Sequence, residues 1–316
     1  MKEIGGYIEF ETYYGNEFHD CIRLNCGRNC LAYLIEARKI QRIHLPYYLC
    51  SSVREICAKY GVDIHYYHIN EDFTPILDFT IAITDYFYLV NYYGQISNTY
   101  IENLHQEIKN LIVDNSQAFF QMPVKKIDTL YTCRKFFGVP DGAYLYTDSK
   151  LDRALDLDVS FKRMNYLLAR YEVNASDYYS EYVANNKLFS DEPVKQMSKL
   201  TKNLLKGIDY DRVKAVRERN FSFLHGNLQS INRLELKEPI GAFSYPLLID
   251  NGLKIRKKMQ ENKIYIPMLW PDVLDSCDRN SVEYHYTRNI LPVPCDQRYG
   301  ENDMIKLLEE FIQCIS

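Results

Sequence analysis

LIVDNSQAFFQMPVKKIDTLYTCRKFFGVPDGAYLYT, residues Leu111 to Thr147, is the stretch whose reading decides the fold. It opens on a short apolar run, Leu111–Val113, that ends in Asp114. A polar and aromatic turn follows, Asn115-Ser116-Gln117-Ala118-Phe119-Phe120. A second run, Ile127–Thr132, leads into Cys133-Arg134-Lys135, and a third, Ala143–Thr147, follows FFGVPDG. A carboxylate therefore stands at one strand end and a lysine just beyond another. In open α/β folds, ligands bind where parallel strands end.

Working outward, the same grammar recurs upstream. Ile40–Leu45 reads as a strand ending in Pro46-Tyr47-Tyr48-Leu49-Cys50-Ser51-Ser52. A helix then runs to about Tyr60 and is closed by Gly61, and Asp63–Ile69 is an alternating strand. Ile83–Tyr92 is an apolar, aromatic strand ending in Asn91-Tyr92-Tyr93-Gly94, and Thr99–Asn110 an amphipathic helix. Strands separated by helices of this length predict βαβ units and a mainly parallel sheet. Further upstream, Cys21–Cys30 passes from a short apolar run through Gly27-Arg28-Asn29 into a helix. A glycine turn that feeds a helix N-terminus is a natural anion site, or simply a helix start with Asn as its cap.

Residues 1–20 read as an arm, with alternation in Tyr7-Ile8-Glu9-Phe10-Glu11 that suits a strand or a segment laid on a surface. From Lys150 to about Asn203 the pattern is helical, and Lys195, Lys199, Lys202 and Lys206 recur at helical spacing, as a solvated face or a phosphate-facing one. Asp211–Ser230 predicts a long linking helix. Beyond it, Ala242–Ile249, Ile264–Met268 and Ile290–Pro292 read as strands, and Leu253–Asn262 and Asn302–Cys314 as helices. The expected organisation is an arm (1–20), a large domain (21–210) and a small α+β C-terminal domain (211–316) carrying the linking helix.

Composition narrows the function. The 316 residues are 47% hydrophobic and 25% charged, as in globular proteins. A net charge of −4 gives no electrostatic case for nucleic acid or an anionic membrane. The nine cysteines form no CxxC pair, and six of the seven histidines, at 19, 65, 68, 105, 225 and 285, show no ligand spacing, so no metal is expected. MKEIGGYIEFE does not read as a secretion signal, and no apolar run approaches a membrane span, so a cytoplasmic protein acting on a small molecule is expected.

One chemistry uses a lysine and a carboxylate around a single cofactor: that of pyridoxal 5′-phosphate (PLP). On that reading Lys135 attaches to the cofactor and moves protons, and Asp114 holds the pyridine nitrogen. Gly27, Arg28, Asn29 and Thr132 serve the phosphate, and Tyr47, Tyr48 or Cys50 lies against the ring. On spacing alone, Lys135 and Asp114 read more readily as ordinary charges at strand ends, which are common in loop regions.

These segments resemble the DegT/DnrJ/EryC1/StrS aminotransferases, fold-type-I PLP enzymes that aminate nucleotide-linked keto-sugars. The resemblance rests on LNCGRN, on LPYYLCSS, on NYYG, on Asp114-Asn115-Ser116-Gln117, on TLYTCRK, and on YPLLI, YIPMLW and LPVPCDQRY in the C-terminal unit. It implies a three-layer αβα PLP-transferase fold, a homodimer with the active site at its interface, and glutamate as donor. It also implies Asp114 on the pyridine nitrogen, Gln117 on the ring hydroxyl and Lys135 as the Schiff-base lysine. Tyr93 and Arg298 are candidate substrate residues. In an amino-acid-directed lyase Arg298 would bind a carboxylate; otherwise it would pair with Asp296 or Asp303. Thr132 or Thr129 stands in for a serine, Cys50 for a stacking aromatic and Asn91 for a histidine. Lysine at 135 argues against the sugar-dehydratase branch. A PLP lyase of the same fold and a non-catalytic relative serving as a binding protein are the alternatives.

Overall fold

The computed structural model describes residues 4–315. Seven strands make one mixed sheet, in the order β1 (Ile22–Leu24), β7 (Ala143–Tyr146), β6 (Asp128–Thr132), β5 (Leu111–Asp114), β4 (Tyr86–Val90), β2 (Arg42–Pro46), β3 (Asp63–Tyr67). Strands β3, β2, β4, β5 and β6 are parallel, and β7 is antiparallel to both β6 and β1. Every residue of β5 is buried, as are Phe87–Val90 of β4. Central parallel strands covered on both faces carry unbroken apolar runs, and YFYLV and LIVD are such runs.

The helices flank the sheet. Helix α1 (Gly27–Arg38) turns its buried Leu31, Leu34 and Ile35 toward the core, packs on β1, β6 and β7, and ends at Lys39 in the left-handed conformation. Helix α2 (Ser51–Lys59) lies beside it, and α3 (Asn98–Glu107) starts where the Ser97 side chain accepts a hydrogen bond from the Tyr100 N–H, 3.2 Å. Such N-cap bonds satisfy donors that the helix itself leaves open.

Three further helices follow the sheet: α4 (Asn165–Glu172), α5 (Tyr179–Asp191) and α6 (Lys199–Lys206). The helical pattern expected from residue 150 onward is realised only from Asn165. Residues 150–160 instead run irregularly along the body, where Leu151 N–H meets the Tyr33 hydroxyl and Leu157 bridges Gln196. Lys195 lies outside α6, paired with Glu192, so the expected row of lysines is broken.

Helix α7 (Tyr210–Leu228) joins the two units. Its Val213 packs among Phe119, Phe136 and Phe137, and its Phe221, Leu224 and Leu228 enter the C-terminal core. That unit is a two-stranded antiparallel sheet, β8 (Tyr245–Leu248) and β9 (Ile290–Val293), with α8 (Gly252–Glu261), α9 (Val273–Ser276), α10 (Val282–Asn289) and α11 (Glu301–Ile315). The expected strand at 264–268 does not form. Lys263 turns back at φ 60°, Pro267 has no N–H to give a ladder, and no third strand accompanies β8 and β9. In the arm, residues 4–14 are exposed and join no sheet. No helix among the described residues is long and apolar enough to cross a membrane.

Candidate active site

The register brings the predicted strand ends to one edge. Val90 lies opposite Asp114, and Asp114 opposite Leu130, so β4, β5 and β6 finish side by side. The chains leaving them carry Asn91–Gly94, Asn115–Gln117 and Cys133–Lys135. Strand β1 feeds α1 at the same edge, where a Cβ added to Gly27 would sit 3.6 Å from the Thr132 Cβ.

Asp114 is buried and fixed through both oxygens. The Tyr88 hydroxyl donates to Oδ2 (2.9 Å), and the Ser116 N–H donates to Oδ1 (2.8 Å). Tyr88 sits two positions before Val90, so it is the diagonal same-face neighbour of Asp114 across the β4–β5 pair. Lys135 Nζ donates to Ser116 Oγ at 3.0 Å and lies 5.6 Å from the centroid of Phe243. Lys135 is deep in the molecule yet open to water through the cleft. Depth pulls its pKa below the ordinary lysine value, against the opposing pull of the Asp114 charge and of Cys50. Water in the cleft tempers that depression.

Gln117 is buried. Its Oε1 accepts from the Tyr93 N–H at 2.8 Å, while its Nε2 has no hydrogen-bond partner among the described residues. Tyr93, fully buried, is held at φ 53°, where residues other than glycine are uncommon, and its hydroxyl lies against that of Tyr48. Behind this wall runs a closed polar network. Asn91 Nδ2 donates to Asn115 Oδ1 (3.0 Å) and Gln121 Oε1 (2.9 Å), and the Tyr131 hydroxyl donates to the Gln121 carbonyl (2.8 Å).

At the other end of the cleft, the Cys26 side chain does not cap α1, and no hydrogen bond among the described residues engages the hydroxyl of Thr132 at the end of β6. The Asn29 N–H turns back to the Cys26 carbonyl (3.1 Å), so the Gly27 and Arg28 N–H groups and that hydroxyl are the donors left open at this end of the cleft. The side chains of Arg28 and Asn29 are committed elsewhere. Arg28 donates to Ser190 Oγ (2.8 Å), and Asn29 donates to Asn25 Oδ1 (2.9 Å) and the Pro193 carbonyl (3.0 Å). What this turn offers an anion is its backbone.

The aromatic candidates separate. Tyr47 stacks on His68 (4.6 Å) and Tyr66 (4.9 Å), whereas Tyr48 is buried edge-on against Trp270 (4.5 Å). Cys50, at the start of α2, lies close enough to Lys135 to influence its charge. Arg298 grips Asp296 through Nε (2.6 Å) and Nη2 (2.7 Å), and no hydrogen bond or ion pair joins it to Lys135.

Sequence reasoning missed Tyr88, Ser116 and Phe243. The first two could have been found from the β4–β5 register, but Phe243 arrives from the C-terminal unit with no local signal. Arg217 was missed as well. It is fully buried under the loop that follows Lys135 and donates to the Phe136 carbonyl (3.2 Å), the Ala242 carbonyl (2.7 Å) and Gln297 Oε1 (2.7 Å). Burial pushes its pKa down to about 10. A separate hollow of about 480 Å³, beside β1 and residues 150–155, contains none of these residues. No cluster among the described residues could hold a metal ion.

No protein-family model matches the chain. No curated protein matches it by sequence. Solved structures do match. A DegT DnrJ EryC1 StrS aminotransferase from Brucella abortus is 12% identical with a TM-score of 0.62, over 92% of this chain and 85% of the other. Sugar aminotransferase CalS13 from Micromonospora echinospora is also 12% identical, with a TM-score of 0.61 over 92% and 86%. NtdA from Bacillus subtilis, solved with bound cofactor PMP, is 14% identical with a TM-score of 0.64 over 93% and 73%. What these likenesses establish is the fold: the chain has the three-layer αβα architecture of the fold-type-I aminotransferases, with a small C-terminal unit.

Proposed function

We propose that this protein is a PLP-dependent aminotransferase. It moves an amino group from an amino acid, glutamate on the resemblance, to a keto-sugar or a similar carbonyl compound. The observation that carries the reading is the convergence of Lys135, Asp114 and the unpartnered Gln117 amide with an uncapped helix start beside a free threonine hydroxyl. Buried polar groups are normally hydrogen-bonded, so an orphaned amide in a cleft marks the place of a ligand.

The residues fit the cofactor. The α1 turn and Thr132 would hold its phosphate, Gln117 Nε2 its ring oxygen, Asp114 its ring nitrogen and Lys135 its aldehyde carbon. Bound there, the cofactor supplies an electron-withdrawing ring that stabilises negative charge on an attached substrate carbon. The chain supplies the rest. Tyr88 and the Ser116 N–H fix Asp114 so that its charge faces the ring without reorganising. Lys135, its proton affinity lowered by depth, takes up and gives back a proton at Nζ, and Ser116 Oγ holds that nitrogen when it is free. Phe243 and Cys50 flank Lys135 in the cleft.

In this reading the domain of residues 21–210 holds the cofactor and residues 211–316 close over it. We propose that the enzyme works in the cytoplasm as a homodimer. Exposed Leu168, Tyr171, Val173, Tyr179 and Tyr182 around α4 and α5 supply an apolar surface of the kind that marks protein–protein contact. Purified protein mixed with PLP should acquire a visible absorption band that L-glutamate bleaches and a keto acid restores. A protein that stays colourless at saturating PLP rules the proposal out. One that colours but does not respond to any amino donor favours the non-catalytic alternative.

A further inference from the structure

The hollow beside β1 carries charge that the chain itself leaves unbalanced. It encloses about 480 Å³ between β1, residues 150–155 and α6, a volume in the range of small-molecule sites. Arg23, Lys150, Arg153 and Lys202 line it, and no Asp or Glu does. Two of these cations are already matched from outside the hollow: Arg23 pairs with Glu17 at 3.0 Å, and Arg153 with Glu36 at 2.8 Å. Lys150 and Lys202 pair with no carboxylate among the described residues. A concave surface lined by one sign of charge concentrates the opposite ion, even on a chain whose net charge is −4.

The walls are fixed in advance. Tyr33 of α1 is buried, and its hydroxyl donates to the Ser149 carbonyl (3.3 Å) and accepts from the Leu151 N–H (3.3 Å), which clamps the backbone on both sides of Lys150. Arg153 is tied to α1 through Glu36, and Gln196 Nε2 donates to the Leu155 carbonyl (3.0 Å). Much of the remaining lining is apolar. Ile22, Leu151 and Leu155 pack on the main core yet stay only partly buried. A bare inorganic ion would balance the lysines and leave these side chains wet, whereas a ligand with an organic body covers them as well. Charge narrows the choice further. Two unmatched lysines suit a phosphate monoester, which carries a charge of about −1.5 to −2 near neutral pH, better than a single carboxylate.

We infer that this hollow binds a phosphate monoester of a small organic molecule, a sugar phosphate or a nucleoside monophosphate. Lys150 and Lys202 hold the phosphate, and the ring of the ligand lies against Ile22, Leu151 and Leu155. The hollow shares no residue with the Lys135 cleft, so it is a second site, and it stands whether or not the aminotransferase reading does.

The test is calorimetry on full-length protein, with glucose 6-phosphate and uridine 5′-monophosphate as probes and glucose and uridine as their phosphate-free counterparts. Wild-type protein should bind at least one ester, and at least tenfold more tightly than its counterpart; this arm needs no variant to fold. The tighter of the two esters identifies the body that the hollow takes. The double variant Lys150→Gln/Lys202→Gln should bind that ester at least tenfold more weakly. Lys150 is exposed and Lys202 only partly buried, so the variant should melt as wild type does. Failure of both esters to bind wild type at millimolar concentration overturns the inference, as does binding by the double variant within twofold of wild type. Inorganic phosphate bound as tightly as the esters overturns it too, because the apolar lining would then recognise nothing. A double variant that changes oligomeric state and still binds the ester overturns it by making the hollow an interface between copies of the chain.

Discussion

Replacing His19 by glutamine should remove a defined part of the protein's acid sensitivity. His19 is wholly buried between the sheet and the aromatic cluster of Phe119, Tyr131 and Tyr144. Its Nε2 is 2.9 Å from the Phe119 carbonyl and its Nδ1 3.2 Å from the Tyr146 hydroxyl. This pairing suits the neutral ring, with the proton on Nε2 and Nδ1 accepting. Burial drives the pKa down from 6.5 to about 4, only partly opposed by the Phe119 carbonyl. The unfolded chain takes up a proton as pH drops below 6.5, while the folded protein refuses it until about 4. Stability from this group is therefore complete above pH 6.5 and is lost progressively as pH falls toward 4. One pKa unit corresponds to about 1.4 kcal/mol, so the loss amounts to roughly 3 kcal/mol. Urea unfolding of wild type and His19→Gln at steps from pH 8 to pH 4 measures it. Carboxylates titrate in both proteins, so the difference between the two curves isolates His19. The wild type should start more stable and lose its advantage across this window. Parallel curves at all pH values would show that the buried ring does not titrate as argued.

Other substitutions probe the scaffold and the site. Arg217→Met removes the donors that tie the Phe136 and Ala242 carbonyls and Gln297 together, and should cost about 2–5 kcal/mol in urea unfolding while loosening the Phe243 loop beside Lys135. Gly142→Ala should destabilise by about 1–3 kcal/mol, because φ is +115° there and the added carbon would meet Thr201 Cγ2 at 2.9 Å; unchanged melting would contradict the geometry. Tyr88→Phe leaves Asp114 Oδ2 without its donor, which should cost about 1–3 kcal/mol of folding stability and weaken PLP binding in a fluorescence titration.

The parallel core was legible because buried strands declare themselves: LIVD and YFYLV admit no solvent face. Asp114, Gln117 and Lys135 were legible because strand ends in such a sheet share one edge. Residues that reach the site by register or from another unit were not. Tyr88 reads as one more aromatic of the strand until its diagonal position opposite Asp114 is known. Phe243 reads as one apolar residue of the C-terminal unit until the approach of that unit sets it against Lys135. The expectations that failed did so where local pattern had no partner. Ile264–Met268 alternates like a strand but finds no edge to join. Leu151, Leu155 and Leu157 are spaced as for a helix but are drawn into extended contacts with Tyr33 and Gln196.

The central claim is that Lys135 carries the cofactor. Protein incubated with PLP, reduced with borohydride, digested and analysed by mass spectrometry measures this directly. The account predicts a pyridoxyl group on the peptide bearing Lys135, and none in Lys135→Ala. Label on another lysine, or no label on intact and folded protein, would contradict it.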